Sequence, residues 1–140
     1  MRRILVDTNV IIDLLAKREP FDIASRSLFS LADMGEEELV TSSLSLVNTH
    51  YILHDVMKIK EARSVIGKFK VLVKTHALTD KIVELALNDY AFKDFEDAIQ
   101  YYTALESKCE LIVTRNTKDF KTAKIPTFTP QEYLAKREAK

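Results

Sequence analysis

Apolar residues fall along the chain in short runs that alternate with longer stretches where they recur every three or four positions. The short runs predict buried strands and the longer stretches amphipathic helices. Arg3 to Val6 is the first expected strand, followed by a short helix from Val10 to Ala16. Pro20 opens a second helical stretch through Phe21, Ile23, Ala24, Leu28, Phe29 and Leu31, and Gly35 stops it. Next come a strand from Leu39 to Thr41, helices from Ser43 to Lys58 and Glu61 to Val71, and a third strand near Val73 to Ala77. Helices from Thr79 to Asn88 and Asp94 to Lys108 lead to an apolar, β-branched strand from Leu111 to Thr114, and Pro126 to Phe128 supplies an edge strand. The last helix has the clearest local signature. Thr129 stands at its N-cap, Pro130 at its first position and Glu132 three residues past the cap, which together make a capping box.

Alternating strands and helices predict a parallel sheet, because parallel neighbours need a crossover connection. The expected fold class is α/β: a three-layer α/β/α sandwich around a central, mostly parallel sheet, with a single domain over residues 1–140. Sites in such sheets form beyond the carboxyl ends of the strands. Two polar triplets occupy such positions, Asp7-Thr8-Asn9 after the first strand and Thr114-Arg115-Asn116 after the strand at Leu111. Both are expected on one edge of the sheet. Each also has a purely structural role open to it, since Asn9 can cap the Val10 helix and Asp, Thr and Asn commonly fill turns.

Composition removes whole classes of chemistry. At 46% hydrophobic and 30% charged, the chain suits a soluble globular domain, and a chain of this size buries roughly 68 to 70% of its unfolded surface. Gly35 and Gly67 are the only glycines, too few for a Gly-rich phosphate loop or a dinucleotide fingerprint. Cys109 stands alone, which excludes an intrachain disulfide and a cysteine metal cage and suits a reducing cytoplasm. No secretory leader is expected, because Asp7 breaks the apolar run of Ile4, Leu5 and Val6, and no stretch approaches a membrane span. Lys plus Arg balances Asp plus Glu at 21 each, but the charges are segregated. A basic tract from Lys58 to Lys74 adjoins an acidic one from Asp80 to Asp97, and two solvated helix faces would account for both.

Three clusters bear on the chemistry. Leu44, Val47, Asn48, Tyr51 and Ile52 share one expected helical face, so Asn48 lies in an apolar stripe and needs a polar partner. Asp94, Glu96 and Asp97 gather at a helix start, where Asp94 can be the N-cap and acids are favoured by the helix dipole. Asp97 leads into Ala98, Tyr101, Tyr102 and Ala104, which predicts that it faces inward and requires a cation. His50 and His54 have ligand spacing on a helix, but Tyr51 stands where a zincin carries Glu, so they are read as surface or packing residues. No nucleophile elbow is present. Carboxylates brought together at one sheet edge repel one another unless a hard divalent cation such as Mg²⁺ or Mn²⁺ joins them. Metal-assisted hydrolysis of a phosphodiester is the chemistry such a site serves.

With these pieces in order, the sequence resembles the PIN domain (PilT N-terminus), the fold of many small metal-dependent ribonucleases, including VapC-type toxins of toxin-antitoxin pairs. The resemblance covers nearly the whole chain. Its best-matched parts are Ile4-Leu5-Val6-Asp7-Thr8-Asn9-Val10, Asp97-Ala98-Ile99-Gln100 with the following aromatics and Ala104, and Ile112-Val113-Thr114-Arg115-Asn116 ending in Asp119-Phe120. It implies that Asp7 and Asp97 are ligands of Mg²⁺ or Mn²⁺, directly or through water, with Asp94 as a further carboxylate. Thr8 or the Ser42-Ser43 pair would help hold the site, with Asn9 and Thr114 beside it, and Asn116 with Asp119 would supply its last polar position. Asn48 departs from the toxin-type relatives, which carry Glu there, and Asn116 stands where many relatives have Asp. Arg115, Lys68, Lys70 and Lys74 are the expected phosphate contacts. The resemblance implies a cytoplasmic endoribonuclease acting on RNA, leaving 5′-phosphate and 3′-hydroxyl ends, with an antitoxin protein and a second copy of itself as partners. The departures favour a different class, a PIN-like module that binds RNA or a protein without cutting.

Overall fold

The computed structural model describes residues 1–139, and Lys140, the last residue of the expected domain, lies outside the described residues. Five strands form one parallel sheet: β1 (Arg3–Val6), β2 (Glu38–Ser42), β3 (Lys74–His76), β4 (Leu111–Val113) and β5 (Thr127–Phe128), in the spatial order β3-β2-β1-β4-β5. Around it lie α1 (Thr8–Leu15), α2 (Asp22–Asp33), α3 (Ser43–Tyr51), α4 (Ala62–Phe69), α5 (Asp80–Leu87), α6 (Phe95–Glu106) and α7 (Pro130–Glu138). Strand order reverses at β1, which pairs with β2 on one side and β4 on the other. The crevice beyond the carboxyl ends of β1 and β4 is therefore the switch point where ligands bind in open parallel sheets.

Alternation along the strands divides the core in two. Ile4 and Val6 point into one layer with Val10 and Ile11 of α1, Leu28 and Phe29 of α2, Phe69 of α4 and Tyr133 of α7. Leu5 and Ile112 point the other way, into a layer with Ile82 and Ala86 of α5 and Ala98, Ile99 and Tyr101 of α6. With helices on both faces, β1 is buried on both sides, which is why it reads as a continuous apolar run. The expected three-layer α/β/α arrangement is the one observed, and its sheet is parallel throughout.

Several boundaries differ from the sequence expectation. Pro20 stands in the turn ahead of α2, which begins at Asp22. Gly35 does end that helix, at φ +74, a conformation that disfavours a β-carbon. The Ser43 helix stops at Tyr51 and continues as one π turn from Ile52 to Val56. The stretch from Glu61 to Val71 resolves into α4 and a 3₁₀ turn at Lys70–Leu72. The Thr129 capping box forms as expected. Among the described residues no helix is long and apolar enough to cross a membrane.

The apolar stripe assigned to α3 is corrected most sharply. Val47 is 66% exposed and Tyr51 is exposed as well, whereas the buried face carries Ser45, Leu46 and Thr49. Two of these three are hydroxyl residues, so hydrophobicity alone picks the wrong side of the helix.

Candidate metal centre at the switch point

The end of β1 and the start of α1 fix Asp7. It is the N-cap of α1, its Oδ1 accepting from the Thr8 amide at 2.7 Å. Its Oδ2 accepts from the Thr114 hydroxyl at 2.8 Å, across from β1 to the end of β4. The Thr114 oxygen in turn accepts from the Asn116 amide at 3.1 Å and from Asn9 Nδ2 at 3.4 Å. Asn9 Oδ1 accepts from the Arg115 amide at 3.3 Å. The two triplets expected on one sheet edge thus form one hydrogen-bonded unit, and Asn9 bridges strand ends instead of capping its own helix.

Helix α6 brings the second group of acids. Asp94 is its N-cap, accepting from the amides of Glu96 at 2.7 Å and Asp97 at 3.4 Å through Oδ1. Asp97, one turn inside, faces the same cleft as Asp7. Asp7, Asp94, Glu96 and Asp97 line this cleft with Thr8, Asn48, Asn116 and Gln100, in a space of about 420 Å³. A second cavity of about 410 Å³ shares Asp94 and Asp97 and is bordered by Asp119, Lys93, Lys118 and Lys121.

Within the cleft, electrostatics single out Asp7 and Asp97. Burial raises the Asp7 carboxyl above its usual range, hydrogen bonds from Thr114 and Thr8 oppose the rise, and the charges of Glu96 and Asp119 add to it. Asp97 is pushed up to about 7, first by burial and then by Asp7, Asp94, Asp119 and Glu96. Such crowding is what a divalent cation relieves. The donor set is all hard oxygen, which suits Mg²⁺ or Mn²⁺ and not zinc. Among the described residues no group of three or more His, Cys, Asp or Glu side chains is placed to hold an ion between them. A cation here would have Asp7 and Asp97 as its nearest carboxylates and water for the rest of its shell, a set that suits Mg²⁺.

A polar support lies beneath the cleft. Thr8 donates its hydroxyl to Ser45 Oγ at 2.7 Å, and Gln100 Nε2 donates to the same oxygen at 2.8 Å. Ser45 and Gln100 are buried, and Gln100 Oε1 has no partner. Ser42 and Ser43 do other work: Ser42 caps α3 through the Leu44 amide, and Ser43 accepts from the Leu78 amide. Of the alternatives for the supporting hydroxyl, Thr8 is the one at the cleft. Asn48 also reaches it, donating Nδ2 to Glu96 Oε1 at 2.6 Å.

The expected phosphate contacts lie elsewhere. Lys68 is on α4 beside an apolar groove, Lys70 on the following 3₁₀ turn, and Lys74 on β3 pairs with Glu38 at 3.6 Å. None of the three lines the acidic cleft. Arg115 is turned toward Asp13, its Nε 2.8 Å from Oδ2, with its guanidinium 4.1 Å above the Phe21 ring. His50 and His54 stack on each other at the surface, with ring centroids 5.4 Å apart. Burial pushes the Cys109 thiol up to about 11, so it is no nucleophile at neutral pH.

Sequence reasoning missed Ser45, Arg18 and Asp13, and named Glu96 only as a neighbour of Asp97. The fold and this cleft define a parallel α/β/α protein with a carboxylate site at its topological switch point. The family model for the PIN domain matches residues 3–118, and the chain belongs to that family. Ribonuclease VapC1 of Aquifex aeolicus (strain VF5) is 29% identical over 134 residues, covering 94% of this chain and 92% of the relative. Among solved structures, VapBC2 from Rickettsia felis bound to a promoter DNA fragment aligns at a TM-score of 0.67 and 16% identity, over 91% of this chain and 98% of that one. A toxin-antitoxin complex from Klebsiella pneumoniae aligns at 0.66 and 22% identity, over 90% and 96%. VapC20 of Mycobacterium tuberculosis, described as a sarcin-ricin loop cleaving toxin, aligns at 0.62 and 17% identity, over 78% and 86%.

Proposed function

We propose that this chain is a divalent-metal-dependent endoribonuclease and the toxin of a toxin-antitoxin pair. The observation that carries the reading is the convergence of Asp7 and Asp97 on one cleft, crowded by Asp94, Glu96 and Asp119, at the switch point of the sheet. Asp7 and Asp97 would hold Mg²⁺ or Mn²⁺, with Asp94 and Asp119 tuning its affinity through their charge. When bound, the cation supplies Lewis acidity and a means of activating water for in-line attack on a phosphodiester. Thr114 and the Thr8 amide hold the Asp7 carboxylate in place, and the Ser45–Gln100 pair fixes Thr8 beneath it. Asn116 lies at the cleft mouth, where its amide can meet a phosphate oxygen. The name of the Aquifex relative supports RNA as substrate, and the family resemblance supports products with 5′-phosphate and 3′-hydroxyl ends.

A protein partner is part of the same proposal. A groove of about 610 Å³ between α1, α2 and α4 is lined by Leu14, Leu15, Val65, Phe69 and Leu72, with Lys17, Lys68 and Arg26, the last paired with Asp22 at 3.8 Å. A lining both apolar and basic suits an amphipathic, acid-bearing segment of an antitoxin, and the neighbouring Klebsiella structure is titled a toxin-antitoxin complex. A homodimer belongs to this reading too, and the solution mass tests it.

Purified protein incubated with labelled RNA, in Mn²⁺ and in chelator, tests the activity. Metal-dependent cleavage supports the proposal. Binding without cleavage in either condition would instead favour a non-cutting RNA-binding module, the reading to which Asn48, bonded to Glu96 where toxin-type relatives have a carboxylate, lends weight.

A further inference from the structure

The cleft that would receive a polyanion is itself acidic, and among the described residues lining it Arg18 is the one cation. Arg18 is anchored with unusual completeness for a residue in a connecting turn. Its amide donates to the Asp13 carbonyl at 3.1 Å and its carbonyl accepts from the Asp22 amide at 2.9 Å. Its side chain donates through Nε to Asp13 Oδ1 at 2.9 Å. Asp13 is fully buried, and its other oxygen, Oδ2, lies 2.8 Å from Arg115 Nε. Asp13 therefore holds Arg18 by a directional hydrogen bond and Arg115 by charge, the Arg115 Nε and Asp13 Oδ2 making no hydrogen bond.

That arrangement contains one cation more than it needs. A buried carboxylate requires a single compensating charge, which Arg115 already provides while stacked on Phe21. The Arg18 head engages Asp13 through Nε, and Nη2 makes only a 3.5 Å contact with the Asn9 carbonyl, so its terminal nitrogens remain available at the cleft wall. The side chain is 37% exposed, on the same cleft as Asp7 and Asp97. A guanidinium fork held in advance of binding is suited to bidentate recognition of a phosphate, which a mobile lysine would not match.

We infer that Arg18 binds a backbone phosphate of a single-stranded RNA adjoining the scissile one, and that Asp13 is the positioning residue that aims it. The inference rests on the ribonuclease reading above and adds the subsite that holds the strand. It makes the turn after α1 the cationic part of a cleft that the start of α6 also lines.

The test is fluorescence anisotropy with a short single-stranded RNA across a salt series, with Ca²⁺ in place of Mn²⁺ and strand integrity checked on a gel. Mn²⁺ calorimetry on the same proteins runs alongside. Arg18→Gln should weaken RNA binding about tenfold and lower the salt slope by about 0.7, the loss of one single-strand phosphate contact. Its Mn²⁺ affinity should hold or rise slightly, because a nearby cation has gone. Arg18→Lys should restore the slope but only part of the affinity, since charge returns without the fork. Asp13→Asn should weaken RNA binding with the slope kept, because Arg18 stays charged but is no longer held in place. A purely structural Asp13 would leave RNA affinity alone in protein that still melts cooperatively. If Asp13→Asn does not fold, the partly exposed Arg18 variants decide alone. Wild-type affinity and slope in Arg18→Gln, with the wild type binding RNA, overturn the assignment while leaving the ribonuclease reading intact. A wild type that takes neither RNA nor Mn²⁺ overturns that reading, and the subsite with it.

Discussion

Helix α1 has a buried aspartate toward each end, and the two are treated in opposite ways. Asp13 meets two arginines, one on each carboxylate oxygen. Asp7, 7% exposed, meets only neutral hydrogen-bond donors and faces further acids. Burial raises both carboxyls; at Asp13, which stays above its usual range, the charges of Arg115 and Arg18 oppose the rise, whereas at Asp7 only the Thr114 and Thr8 hydrogen bonds oppose it and the charges of Glu96 and Asp119 add to it. Glu37 sides with Asp13: it is nearly buried, pairs with Arg137 at 3.1 Å and accepts from the Tyr133 hydroxyl and the Arg2 amide. Where the fold alone sets the requirement, an inward carboxylate comes with its cation. An inward carboxylate left without one, as at Asp7, is what the proposed cation site rests on.

The largest expected effect breaks the uncompensated end. If the proposed site is right, Asp7→Asn or Asp97→Asn should abolish metal-dependent cleavage, because each would remove one of the carboxylates proposed to hold the cation. Metal-free melting temperature should stay level or rise, since an amide can still accept from Thr8 and fewer like charges crowd the cleft. A clear fall in metal-free melting temperature for both variants would make the two carboxylates requirements of the fold and not of a cation site. The compensated end should behave in reverse. Asp13→Ala should cost about 3 kcal/mol of stability, the low end for breaking a buried pair because both guanidiniums keep contact with water. Denaturant unfolding measures it, and a loss no larger than that of a surface substitution would show that the arginines need no partner.

Why one aspartate was legible in the sequence and the other was not follows from how each is placed. Asp7 and Thr114 directly follow strands of a parallel sheet, so a rule about strand ends finds them without knowing what they touch. Asp97 was found by its apolar successors on α6. Asp13 looks like any polar residue of a short helix, and Arg18 like any charge in a turn; Arg115, 102 positions beyond Asp13, becomes its partner only through the β1–β4 pairing. Ser45 was missed because its face of α3 was judged by hydrophobicity. Thr8 and Gln100 satisfy that face with hydroxyl and amide groups from 37 and 55 positions away. Charge tracts misled for a related reason: Lys68, Lys70 and Lys74 are neighbours in sequence but lie on three different elements, none at the cleft.

A smaller effect, in pH, sharpens the contrast. Burial, and then the neighbouring acids, push the Asp97 carboxyl up to about 7 from an ordinary value of 3.8. Between these values the folded state holds the proton more tightly than the unfolded chain does. Metal-free stability should therefore be highest below about pH 4, fall as pH rises toward 7 and change little above it through this group. Mn²⁺ must displace that proton, so its affinity should climb by up to about tenfold per pH unit below 7 and level off above it. Melting curves and calorimetry from pH 5 to 8 check both trends. Flat profiles in both would mean that neither burial nor the neighbouring acids raise Asp97.

The smallest effect concerns Asn48, which stands at the cleft as an amide where a carboxylate would deepen the contrast with Asp13. Its Nδ2 donates to Glu96 Oε1 at 2.6 Å, so it now quiets one of the acids in the cleft. Asn48→Glu exchanges that donor for a further negative charge against Glu96, and without metal it should destabilise the protein by about 1 kcal/mol. With metal the added carboxylate gains a partner, and Mn²⁺ affinity should tighten by about 1 kcal/mol, roughly fivefold. The two changes have opposite signs, which neither a cavity nor a packing fault would produce. Calorimetric titration with Mn²⁺, set beside melting curves with and without metal, separates the cases. Equal destabilisation in both conditions with no gain in affinity would make Asn48 a hydrogen-bonding partner of Glu96 alone, and would confine the cation to the side of the cleft formed by Asp7 and Asp97.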